Sequence, residues 1–416
     1  MELRKTKPTI EYGNLFFCMA VTLPSLVYLF TKTVRLVIRS TASLDTLLVY
    51  LAFAFVFVKA LPELRYAFTR RDLALVFSGG ILLAVSAMSP VADMGLLMST
   101  GKDIVFRCLP VYLGAKLVHD SPRLSQYLRL FAVILLLRVM ADVYVFSADS
   151  AAKSYYQFDG YLLLTAIALL FLPLIQEHRI YDIVLAGAIL LATLLTGARG
   201  PFLAAVLLVF TGILLGGTDR RQSLLRLVLP AGAAYLIYRY MRPILTFITR
   251  TFGSAASMRT VQHLLDNAIL EDSGRARIYA TVLSYLREHL FWGCGALNDR
   301  VILHDAVRGI GPLSGSYPHN IFLEFAMQFG VILGTVLMML LVAQLLRAWR
   351  RCRSHRERLV LVSLLFAGIV PLMVSGSYLT FTMFYALIGF CTRRAGTFGE
   401  DETLAQAETM GKQALS

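Results

Sequence analysis

Apolar residues run along this chain in long stretches, and most polar side chains gather in the short segments between them. Stretches of roughly 17 to 25 apolar residues fit helices that cross a hydrocarbon core. The pattern predicts about twelve spans, at 13–31, 44–62, 73–92, 95–118, 125–146, 160–176, 180–197, 200–217, 224–241, 320–346, 358–377 and 378–393. Lipid offers no hydrogen bonds to a backbone, so each span must satisfy its own groups within a helix. The expected class is all-α, a polytopic membrane helix bundle with its first span retained.

One connection breaks the rhythm. Residues 242–319 form a loop far longer than any other, and connections of that length are either functional or disordered. Composition favours order: Ser273 is placed to cap a helix, and Ile278, Tyr279, Val282, Leu283, Leu286 and Leu290 recur at helical spacing. The helix should end at Phe291-Trp292-Gly293-Cys294-Gly295, where glycine permits a left-handed exit. An amphipathic helix with such aromatic neighbours suits the membrane interface. The chain divides into N-terminal membrane helices (1–241), this loop (242–319), C-terminal membrane helices (320–393) and a polar tail (394–416) of disordered composition.

Composition agrees. The 416 residues are 57% hydrophobic and 16% charged, well below the roughly 25% charged of soluble domains. The net charge of +14 is no nucleic-acid footprint, because loop lysines and arginines set membrane topology. Arg65, Arg70, Arg71, Lys116, Arg123 and the cluster from Arg347 to Arg358 assign their loops to the cytosol. Lys32, Arg35 and Arg39 run against that orientation but are outweighed. Both termini are then cytosolic and the long loop extracytosolic. The five cysteines show no paired spacing, so neither a disulfide framework nor a zinc site is expected.

Charges inside spans are costly and point to function. Lys102, Asp103 and Arg107 fall in the outer half of the fourth span, Arg138 and Asp142 in the outer half of the fifth. Asp103/Arg107 and Arg138/Asp142 are four residues apart, so each can pair on one helix face. Mutual neutralisation within the bundle is one reading. Their shared depth favours another, the wall of a cationic cavity open to the outside, to which Arg239 and Arg242 would add. Arg199 lies in the turn Thr196-Gly197-Ala198-Arg199-Gly200-Pro201, where a helix N-terminus beside an arginine makes either a headgroup anchor or a phosphate site. Arg275 and Arg277 occupy the first turn of the loop helix, the end that disfavours cations; a lipid headgroup or a bound anion would hold them there. His319 stands at the mouth of the tenth span, followed by Asn320, Glu324 and Gln328 as a polar stripe that should face the cavity rather than lipid. A helix N-terminus keeps an imidazole neutral, as a general base requires; a merely capping histidine is the alternative.

In combination these features resemble the O-antigen ligase and polymerase superfamily of bacterial envelope glycosyltransferases. The resemblance rests on their order over residues 180–350: Thr-Gly-Ala-Arg-Gly, then Ser-Gly-Arg-x-x-Ile-Tyr, Gly-Cys-Gly, and His-Asn-Ile-Phe-Leu-Glu before Phe-Gly. Tyr279 stands where the family usually has tryptophan. The resemblance implies a GT-C-like enzyme of the bacterial inner membrane, active on the periplasmic face, using neither nucleotide sugar nor metal nor other cofactor. Its donor would be an oligosaccharide on undecaprenyl pyrophosphate, its acceptor a glycan or lipid A-core. Arg199 and Arg275, with Arg277 as helper, would grip the pyrophosphate, and His319 would take the acceptor's proton. The Leu323-Glu324 continuation leans toward a repeat-unit polymerase over a ligase. A lipid-linked glycan transporter also fits the span count, though internal repeats expected of many transporters are not seen. Membrane lipids and a chain-length regulator are further expected partners; nucleic acid is not.

Overall fold

A computed structural model describes residues 11–38, 42–142, 157–196, 198–215, 275–307 and 312–393, with isolated positions 239, 243, 246, 247 and 250. Among the described residues every regular element is helical: α1 (Tyr12–Ile38), α2 (Ala42–Ala67), α3 (Arg70–Ala87), α4 (Met94–Asp103), a π-helical turn (Ile104–Cys108) and α5 (Leu109–Leu117). There follow α6 (Leu124–Ala141), α7 (Gln157–Gln176), α8 (Ile180–Leu195) and α9 (Arg199–Leu215). The loop contributes α10 (Arg275–Glu288), α11 (Asn298–Ala306) and a 3₁₀ turn at Leu313–Gly315. The chain closes with α12 (Ile321–Phe329), α13 (Val331–Arg351), α14 (His355–Gly368), α15 (Val370–Val374) and α16 (Thr382–Thr392).

Six described helices are long and apolar enough to cross a membrane: Tyr12–Val34, Asp45–Ala67, Leu124–Ala141, Phe158–Gln176, Val331–Arg351 and His355–Val374. Three shorter apolar helices, Ile180–Leu195, Gly200–Leu215 and Thr382–Thr392, accompany them. The segment expected as the fourth span forms α4, the π turn and α5 in series and is not one of those six. The expected ninth span and the Ser273 cap lie outside the described residues, Arg239 apart, as does the tail from 394.

Burial separates the helices into centre and periphery. Leu163, Leu164, Ile167, Leu170 and Phe171 of α7 are enclosed by residues of α1, α6, α9, α14 and α16. By contrast, α2 and α13 are mostly exposed and apolar, the composition a lipid-facing surface requires.

The expected tenth span, 320–346, is a correction. It breaks at Gly330 into α12 and α13, because Gly330 adopts φ +80°. A side chain there would place its Cβ 2.3 Å from the Phe291 carbonyl oxygen. The loop after α10 docks in this break: Val331 donates to Leu290 at 3.1 Å, Cys294 to Met327 at 2.9 Å and Gly295 to Gln328 at 2.9 Å. Gly293 touches the backbone of Gln328, and Gly295 takes φ +91°, the left-handed exit anticipated from sequence. Glu324 and Gln328 therefore sit on a short helix packed under the loop.

The π turn has a local cause. Pro110 has no N–H to donate to the preceding turn, and Leu109 reaches back five residues to the carbonyl of Ile104. Such bulges re-aim the side chains around them, here Asp103 and Arg107.

Candidate active site

The polar loop segments converge on one cavity of about 550 Å³. Its wall includes Pro24 and Ser25 of α1, Ser99, Thr100, Asp103 and Arg107 of α4 and the π turn, and Phe158 and Tyr161 of α7. Arg300, Tyr317, Ser375 and Ser377 complete the side nearest the loop.

His319 stands directly behind that side. Its backbone is left-handed, φ +55°, a conformation that costs roughly 1–3 kcal/mol in a non-glycine residue and persists only where neighbours enforce it. Pro318 precedes it, and Asn320 caps α12 by accepting from Phe322 N at 3.0 Å and Leu323 N at 3.3 Å. The His319 Nδ1 lies 3.4 Å from the Ser375 carbonyl oxygen. A carbonyl can only accept, so Nδ1 carries the proton and Nε2 is left with the lone pair of a base. The Tyr317 hydroxyl donates to the same carbonyl at 2.7 Å, and its ring lies 4.3 Å from the imidazole, centroid to centroid. Burial holds the imidazole pKa below its usual 6.5, opposed by the Ser375 contact and reinforced by the nearby charges of Arg275 and Arg300.

Arg275 thus acts on His319 from the N-terminal end of α10. Ile278, Val282 and Leu286 seat that helix against Leu303, Val307 and Met327. Arg275 is half-buried, whereas Arg277 is exposed. Arg199 opens α9; its side chain lies outside the described residues. Residues beside it pack closely: Ala198 and Pro201 press on Gly160 of α7, where an added Cβ would meet Ala198 at 2.6 Å. Gly200 faces Val374 and the Tyr161 hydroxyl, its Cβ position 3.5 and 4.0 Å from them. Since Tyr161 bonds to the Ser375 hydroxyl, the start of α9 reaches the same loop that orients His319.

The remaining sequence candidates separate. Asp103 and Arg107 pair at 3.1 Å and line the cavity, while Lys102 is exposed and not part of its wall. Arg138 and Asp142 lie off the cavity. Arg138 pairs with Asp159 at 2.9 Å and Asp142 at 3.4 Å, and its guanidinium lies 4.2 Å from the centre of the Tyr28 ring. Asn320 caps α12 and reaches the Met373 carbonyl at 3.4 Å; neither it nor Glu324 lines the cavity. Glu324 is fully buried, accepting from Ser377 and lying 3.4 Å from Arg300.

Sequence reasoning missed Arg300. Only 2% exposed, it bonds Asp299 at 3.1 Å and Ser377 at 2.6 Å and lies 5.1 Å from the centre of the Tyr317 ring. Gln328 donates to Asp299 at 2.9 Å and accepts from Tyr378. Burial pushes the Glu324 carboxyl above its usual range and Arg300 opposes it. The missed signal was an adjacent Asp-Arg pair four residues after Gly-Cys-Gly. Ser375 acts through a backbone carbonyl and left no signal in its side chain. No group of three or more His, Cys, Asp or Glu side chains among the described residues is arranged to hold a metal.

No curated protein and no solved structure matches this chain. A family model described as O-antigen ligase matches residues 183–339, a segment that holds Arg199, Arg275, Arg277, Arg300, His319 and Glu324 but neither Arg107 nor Ser375. Over that segment the chain is similar to the O-antigen ligase family.

Proposed function

We propose that this protein transfers an oligosaccharide from undecaprenyl pyrophosphate to a sugar hydroxyl at the extracytosolic face of the bacterial inner membrane, joining repeat units of an O-antigen or capsule. The observation that carries the reading is His319, whose Nδ1 is held by the Ser375 carbonyl beside a polar cavity. With Nε2 unprotonated, the imidazole takes the proton of the acceptor hydroxyl as its oxygen attacks the anomeric carbon. The bond from that carbon to the diphosphate oxygen breaks, the anomeric configuration inverts, and undecaprenyl pyrophosphate leaves. Arg275 and Arg199, with Arg277 as helper, stabilise the charge that builds on the leaving diphosphate. The positions of Arg275 and of the α9 turn around one loop support that assignment. Arginines can carry this charge without a metal.

A ligase that passes the glycan to lipid A-core is the second reading, favoured by the description of the matched family. Purified full-length protein in lipid nanodiscs, given lipid-linked repeat units, should build a ladder of longer lipid-linked chains. A single transfer onto an added lipid A-core acceptor, with no ladder, establishes the ligase. Glycan moved across the bilayer by His319→Ala protein with no bond formed by the wild type overturns both.

A further inference from the structure

Among the described residues, Arg275 and Arg277 form no part of the cavity wall, whose arginines are Arg107 and Arg300. Arg300 is already occupied, by Asp299, Glu324, Ser377 and the Tyr317 ring. Arg107 is not. Its Nη1 is anchored by Asp103 at 3.1 Å, and its Nε is buried with no protein partner among the described residues. With Nε closed off, the exposed end of a guanidinium that Asp103 anchors on one side can meet an anion's oxygen from the cavity. Around it stand the hydroxyl residues Ser99, Thr100 and Thr380 and the rings of Phe106, Phe158 and Tyr161. Hydroxyl partners beside flat apolar faces suit a sugar ring. Two further wall residues, Tyr317 and Ser375, touch His319, the base that must meet the acceptor.

We propose that this cavity binds the acceptor glycan and that Arg107 selects an acceptor bearing a carboxylate, as on a hexuronic acid. Asp103 holds the guanidinium in place and, with its second oxygen, accepts from a sugar hydroxyl. The pair flanks the start and end of the π turn at Ile104–Cys108. The selectivity rests on the glycosyltransferase reading above, but a binding measurement tests it separately.

The test uses full-length protein in nanodiscs and two soluble probes, a hexuronic-acid trisaccharide and its carboxyl-reduced counterpart. Wild type should bind the acidic probe about tenfold tighter, the scale of a charge-assisted contact. Arg107→Gln should bind both probes equally, and Arg107→Lys, which keeps the charge without the fork, should fall between. The lysine variant carries the test if the glutamine variant does not fold. Equal binding of both probes by wild type overturns the proposal. So does an equal weakening of both in either folded variant, or a loss of inorganic diphosphate binding in Arg107→Gln, which would give the residue to the leaving group. Failure of the transferase reading has a different signature: wild type selects the acidic probe yet joins no glycan to any acceptor.

Discussion

Arg107 and Arg138 occupy matching places in the sequence, each paired with an aspartate four residues away, yet their surroundings oppose each other. Arg138 is closed in by Asp142, Asp159 and Tyr28 from three helices. Among the described residues Arg107 has one partner, Asp103, and a cavity in front of it. Spacing along one helix is identical in the two cases. What differs is the neighbour: α7 brings Asp159 to Arg138, while Arg107 lies on the cavity wall. A charge in a span is thus structural or functional according to whether another helix answers it.

The largest effect expected on the open side belongs to its base. His319→Ala should lower glycosyl transfer by about two to four orders of magnitude with the melting temperature nearly preserved, as read by transfer assay and thermal unfolding. On the closed side, Arg138→Ala leaves Asp159 buried without its cation and should cost about 3–5 kcal/mol of stability, checked by denaturation in detergent. If its transfer rate per folded molecule falls as far as that of His319→Ala, the two regions are not distinct.

Gly160→Ala tests the support of the open side. Its Cβ would press on Ala198, so the Arg199 turn must shift, at about 1–3 kcal/mol and with a loss of rate that Gly187→Ala, in open space, should not show. Arg107→Ala should change stability by no more than about 1 kcal/mol, since its pair is well exposed; a loss equal to that of Arg138→Ala would erase the contrast. The pH profile gives the smallest shift. The neutral imidazole is the active form, and burial with Arg275 and Arg300 lowers its pKa. Activity should therefore survive as pH falls through 6.5 and be lost only below it. Arg275→Gln, by removing one cation, should move that acidic limb upward even as it lowers the maximal rate.

Much of the site was legible in the sequence. Ile278, Val282 and Leu286 read as the apolar face of a helix and form one, whereas Asn320, read as part of a cavity-facing stripe, caps α12 instead. Gly330 was visible as a glycine in an apolar run, but its meaning depends on the Phe291 carbonyl, 39 residues earlier, that its missing side chain admits. Glu324 read as cavity-facing because nothing in the sequence announced Arg300 behind it.

Hydrophobic periodicity alone determined the helical class, because lipid leaves the backbone no other way to bond itself. It also placed His319 at the start of a helix. Only tertiary structure decided which charges are answered, since a partner such as Asp159 or the Ser375 carbonyl comes from another helix. The strength of an ion pair or the tautomer of an imidazole depends on that through-space neighbour, which no spacing along the chain records.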